Sequence, residues 1–162
     1  MARITFKKGD DYALKLSKLG NRTEEIAKKA IYAGAKVAAD AIKINLDMLP
    51  TEIFRHLPPG EAFDGLPERQ KEDLLESFGV TPIKLGTDGY WSAKIGFDGY
   101  GSVPTKKYPK GLPNQLLARS VESGSSVRAK RPFVRPAMTS KRKTILETMK
   151  QVVDEETEKT MR

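Results

Sequence analysis

Ile26, Ala30, Ala33, Val37, Ala41 and Ile44 recur at spacings of four, three, four, four and three. Only an α-helix turns that period into one continuous apolar face. The stripe predicts a long helix over residues 21–48, with Asn21 as N-cap and Glu24 three residues later as a variant capping box. Most of its residues are small and Gly34 lies beside them, so another element is expected to pack closely on this face. Upstream, Thr5-Phe6-Lys7-Lys8 reads as a short strand. A first helix then opens at Gly9-Asp10-Asp11, carries Leu14, Leu16 and Leu19, and stops at Gly20-Asn21.

Beyond Met48 the helical pattern breaks. Pro50, Pro58, Pro59, Gly60, Gly65 and Pro67 interrupt any regular element, which predicts a long loop over 49–67 of the kind used for interfaces. A short helix is expected over 68–78, with Leu74, Leu75 and Phe78 apolar and Gly79 closing it. Val80 to Leu85, the Gly86-Thr87-Asp88-Gly89 turn and Tyr90 to Phe97 then form an antiparallel hairpin. Trp91, Ala93, Ile95 and Phe97 share its buried side. A second Gly/Pro-rich loop spans 98–113, and a helix over 114–122 carries Leu116, Leu117 and Val121 with Gly124 as cap. Pro136 suits the first turn of a last helix. Met138, Ile145, Met149, Val152 and Val153 form that helix's stripe, and 154–162 is expected to fray. The expected fold class is α+β: one domain spanning 1–162, with an antiparallel β-hairpin packed against a long N-terminal helix and a C-terminal helix.

The charge of +8 is concentrated. Between Gly101 and Leu146 stand eleven cations and a single acid, Glu122, so this stretch carries +10 and the remainder −2. Such a segment attracts phosphate or an acidic protein face. The sequence has no helix-turn-helix with a basic recognition helix, no zinc-finger ligands and no aromatic RNA-binding motif. The expectation is either nucleic-acid proximity without base reading or contact with an acidic protein face.

The reading for chemistry is short. Cysteine is absent, which excludes disulfides, thiolate metal sites and cysteine nucleophiles and suits a reducing cytoplasm. The single histidine, His56, lies in the 49–67 loop without partners at metal-ligand spacing. No phosphate-binding Gly-x4-Gly-Lys motif occurs, and Gly96-x-x-Gly99-x-Gly101 leads into a proline-rich loop rather than a helix. Acid pairs such as Asp10-Asp11 and Glu24-Glu25 stand at predicted helix starts, where they complement the dipole. The expectation is a non-enzymatic protein without cofactor or metal. With no signal-peptide core and no apolar run near membrane-spanning length, no membrane association is expected either.

Tyr108-Pro109-Lys110-Gly111, Asn114, Ala118, Val121-Glu122-Ser123-Gly124-Ser125-Ser126, Ala129-Lys130 and Pro132-Phe133-Val134-Arg135-Pro136-Ala137 together resemble the head–tail joining family of tailed phages named after gene product ten of phage HK-ninety-seven. The first half is similar in layout, with Ala33-Gly34-Ala35 in the long helix and Leu75-Glu76-Ser77-Phe78 before the hairpin. Two departures are visible: Ser123 stands where such proteins often carry a bulky residue, and the 49–67 loop is long for the family. The resemblance implies a structural virion protein, assembled in the bacterial cytoplasm and placed at the neck or the upper end of the tail tube. It would form a homo-oligomeric ring, commonly hexameric, that joins connector and tail proteins around passing double-stranded DNA. On this reading Arg128, Lys130, Arg131 and Arg135 face the DNA channel or a partner ring. Glu122, Gly124, Pro132, Phe133 and Pro136 form an assembly element in which Phe133 anchors into a core or a neighbour. The alternative is a small basic nucleic-acid-binding protein.

Overall fold

The computed structural model describes residues 7–53 and 55–162, with side chains from residue 14 onward. Two long helices dominate: α1 (Lys7–Asp47) and α4 (Val134–Met161). At about 1.5 Å per residue they are roughly 60 Å and 40 Å long. They run antiparallel. Asn45 Nδ2 donates to the Phe133 carbonyl at 3.1 Å, Gly34 lies under Met149 and Ile145, and Arg22 Nη1 donates to Thr160 Oγ1 at 3.2 Å. Between them in sequence come α2 (Glu68–Ser77), strands β1 (Phe78–Val80), β2 (Lys84–Leu85), β3 (Trp91–Ser92) and β4 (Ile95–Phe97), and α3 (Asn114–Ser123). The fold is α+β, with an antiparallel hairpin beside a long N-terminal and a C-terminal helix, as expected. Among the described residues, no helix is long and apolar enough to cross a membrane.

Helix α1 departs from its sequence reading at three places. Lys7 and Lys8, expected in a strand, are helical, and Thr5 and Phe6 lie outside the described residues. The expected break at Gly20-Asn21 is absent. A mid-helix glycine costs about 1 kcal/mol relative to alanine, and it is offset by ties along and across the helix. Glu24–Lys28 (2.5 Å) and Glu25–Lys29 (3.1 Å) are i,i+4 pairs, and Lys29 also reaches Glu156 on α4 at 2.9 Å. The buried line runs Ile26, Ala30, Gly34, Ala38, Ile42, Leu46 rather than through Ala33 and Val37, while Ile44 is 60% exposed. A strict spacing of four winds the buried face slowly around the helix. The line thus faces α4 along its middle and the small central elements at its end.

The hairpin is interrupted. Phe78 pairs with Phe97 and Val80 with Ile95, but Lys84 pairs with Ser92, one residue out of step. The offset falls at Thr81-Pro82-Ile83, where Pro82 has no N–H to give the ladder. Thr81 bridges the gap, its N–H donating to the Lys94 carbonyl at 2.8 Å and its Oγ1 accepting from Lys94 N–H at 2.8 Å. The expected alternation on the return strand holds, with Trp91, Ala93, Ile95 and Phe97 turned inward. Phe78, expected to end α2, instead opens β1.

The main core lies where both long helices meet the central elements. Ile42, Leu46, Leu49, Leu66, Leu74, Phe97, Leu117, Val121, Phe133 and Ala137 fill it. Phe97 stands between Phe78 (centroids 5.2 Å apart) and Phe133 (6.0 Å, edge-on), favourable aromatic geometries. On the far side of α4, Met138 and Val153 are well exposed, so its buried face is narrower than the expected stripe and uses Ile145, Met149 and Val152. The 154–162 segment, expected to fray, is helical to Met161. Glu156 there bonds Lys29 and Lys159 at 2.9 Å each, and Thr160 is buried.

Candidate functional site

The segment between α3 and α4 is a folded brace. Helix α3 ends at Gly124, whose φ of +75° places it in the left-handed region. A Cβ there would stand 3.1–3.2 Å from the backbone N, Cα and Cβ of Lys130, so the position excludes side chains on two counts. Past the turn at Ser125–Arg128, the chain returns along α3 and Arg131 N–H donates to the Val121 carbonyl at 2.9 Å.

Glu122 closes the brace. Its carboxylate accepts from the backbone N–H groups of Phe133 (2.7 Å), Val134 (2.9 Å) and Arg135 (2.9 Å). These are the otherwise unpartnered donors of the first turn of α4, which makes no cap with its own N-cap side chain. Burial works against ionisation of Glu122, but the three N–H donors and the nearby Arg135 charge outweigh it and hold its pKa below the usual carboxylate range. A carboxylate already occupies the positive end of α4, so that helix start is not a phosphate site. Pro136 sits in the same first turn, as expected.

Phe133, 1% exposed, anchors into the chain's own core, which answers the open choice between core and neighbour. Pro132 and Pro136 remain on the surface.

The four candidate contact cations separate. Arg128 corrects its sequence reading: it is buried, its guanidinium donates to the Gly65 carbonyl and lies 3.5 Å from Gln70 Oε1, and burial pushes its pKa down. It is an internal tie between the brace and the 49–67 loop. Arg131 is exposed but committed, with Nε and Nη2 each 2.5 Å from the two Asp64 oxygens. That fork holds the Asp64 carboxyl below its usual range against some desolvation. Lys130 and Arg135 are the two that present their charge outward, along an open groove with Pro132, Pro136, Thr139 and Ser140.

The 49–67 loop is therefore held over much of its length. Phe63 N–H donates to the Val127 carbonyl (2.9 Å) and Ala129 N–H to the Phe63 carbonyl (2.6 Å). Glu52 accepts from Asp64 N–H at 2.6 Å, and Gly65 (φ +97°) packs on the Pro50 carbonyl where a Cβ would collide. The 98–113 loop is tied in the same way. Buried Asp73 accepts from Ser102 N–H (2.9 Å) and Oγ (3.0 Å), and Asn114 Nδ2 donates to the Asp98 carbonyl at 2.9 Å.

Asp64, Asp73 and Asn45 were invisible to sequence reasoning, because their partners lie 29 to 88 residues away and no local spacing marks them; Asn114 stood among the residues of the resemblance, but without its tie to Asp98. Glu122 carried a signal of its own, as the lone acid of the basic segment. Among the described residues, no group of three or more His, Cys, Asp or Glu is placed to hold a metal ion. No family model, curated protein or solved structure matches the chain.

Proposed function

We propose that this chain is a non-enzymatic structural protein of a tailed-phage virion, one subunit of a ring at the neck or the upper end of the tail tube through which double-stranded DNA passes. One observation carries the reading. The part of the resemblance that runs from Glu122 to Ala137 converges on one bonded unit, in which Glu122 caps α4, Gly124 makes the turn and Phe133 locks the unit to the core. A unit braced this way holds the exposed cations Lys130 and Arg135, and Lys141, Arg142 and Lys143 beyond them, on a stiff helix start. A DNA channel needs such charges without base-reading geometry, because phosphate attraction is indifferent to sequence.

Light scattering across a concentration series, with negative-stain images of the same sample, tests this. Closed rings with a duplex-sized hole are expected. The exposed cations of α4 favour a second reading, a small nucleic-acid-binding protein. Tight duplex binding by a monomer or dimer would replace the ring reading, whereas weak, salt-sensitive binding by a ring fits it.

A further inference from the structure

Two exposed apolar patches of opposite charge lie on the paired long helices. The first is an open groove of about 600 Å³ on α1, lined by Asp40, Lys43, Ile44, Asp47 and Leu75 of α2. Ile44 is 60% exposed in it. Asp40 and Asp47 outnumber Lys43 and Glu76 is exposed next in sequence to Leu75, while the Lys71 ammonium donates to the Asp47 and Leu49 carbonyls at the C-terminal end of α1. The second is the outer flank of α4, where Met138 (42% exposed) and Leu146 (59% exposed) border a smaller groove with Arg142. Arg135, Lys141 and Lys143 are exposed along the same stretch of helix, and Glu147 is the only acid between Val134 and Val153. Asp40, Asp47 and Arg142 form no ion pair among the described residues. Asn45 meets Phe133 while Gly34 meets Ile145 and Met149, so the two patches are staggered along the helix pair and share a level only near Asp40 and Met138.

From this geometry we propose that the acidic groove of one copy receives the basic α4 flank of a second copy, with Leu146 and Met138 seated against Ile44 and Leu75 and Arg142 facing Asp40 and Asp47. The occupant is another copy because this chain carries both complementary halves. The two patches differ, so the contact is heterologous. Because the patches are staggered along the helices, the axis is inclined to the helix pair, and repetition of the contact generates a ring when the rotation closes. This rests on the ring reading above and names the surfaces that build it. Unpaired charges flanking apolar side chains give such a contact register as well as attraction.

The test uses two full-length variants, each broken at one patch: Asp40→Lys with Asp47→Lys, and Arg142→Glu with Leu146→Glu. All four positions are exposed, so unchanged thermal melting is expected. Each variant alone should lose self-association by at least about tenfold relative to the wild type. An equimolar mixture should recover at least a one-to-one pair, because each variant keeps the half the other lacks and the reversed charges of the two altered halves also complement each other. That restored pair also shows that both variants are folded. If both variants still assemble like the wild type, these surfaces are wrong while the ring reading stands. A wild type that stays monomeric at every soluble concentration overturns both. If the Arg142→Glu, Leu146→Glu variant loses duplex retention but keeps self-association, the α4 flank is a nucleic-acid face and the contact is refuted.

Discussion

Arg128 and Lys130 stand two positions apart in the same basic stretch, yet burial gives them different work. Arg128→Ala strips the donor from the buried Gly65 carbonyl. It should cost about 1–3 kcal/mol and speed proteolysis within 49–67, whereas Lys130→Ala should stay within about 0.5 kcal/mol. Equal effects in chemical denaturation would return Arg128 to the surface. Glu122 ties stability to pH. Its folded pKa is depressed below the ordinary 4.5. Its contribution is therefore present above that value and is lost as pH falls through the folded pKa. The melting temperature of the wild type should drop more than that of Glu122→Gln between about pH 5 and pH 3. Glu156, held down to about 2 by hydrogen bonds to Lys29 and Lys159, should lose its share progressively as pH falls from its ordinary value of 4.5 to about 2, in the wild type and Glu122→Gln alike. Parallel curves for the wild type and Glu122→Gln would remove the capping role. None of these assignments is written locally: Arg128 reads as one more cation until the 49–67 loop closes over it.

Between elements, the closest approach decides the most. Gly34 lies where an added Cβ would stand 2.7 Å from Met149 Cγ and 3.3 Å from Ile145 Cγ2. Gly34→Leu should wedge the two long helices apart and cost about 1–3 kcal/mol, although glycine is the poorer helix former. Shortening the neighbour in the same chain (Gly34→Leu with Met149→Ala) should recover part of the loss. A double-mutant cycle with no coupling would show that the contact is not tight. The small-residue stripe announced this approach, because only small side chains admit a second backbone so near. Which small residues face it was not legible, since Ala33 and Gly34 differ by one helical step and the winding of the buried face chooses between them. The hairpin followed the same division. Alternation from Trp91 to Phe97 marked its inner side, but the one-residue offset at Pro82 depends on how Thr81 and Lys94 meet across the strands.

Across the whole molecule, Phe133 joins what the rest of the chain keeps apart. Its ring meets Phe97 of the hairpin, its N–H is held by Glu122 of α3, and its carbonyl accepts from Asn45 of α1. Phe133→Ala should cost about 3–5 kcal/mol and be felt throughout, with hydrogen-exchange protection falling in α1, α3 and α4 together. A loss confined to the start of α4 would mean that the brace folds independently of the core. Helix periods, the turn glycines, the concentration of positive charge and the α+β class all follow from spacing along the chain, because each depends on residues a few positions apart. The continuity of α1 through Gly20, the burial of Arg128 and the capping of α4 by a carboxylate from another helix do not. Those were settled by contacts between distant segments, where cross-helix ion pairs, desolvation and unpartnered N–H groups outweigh local preference.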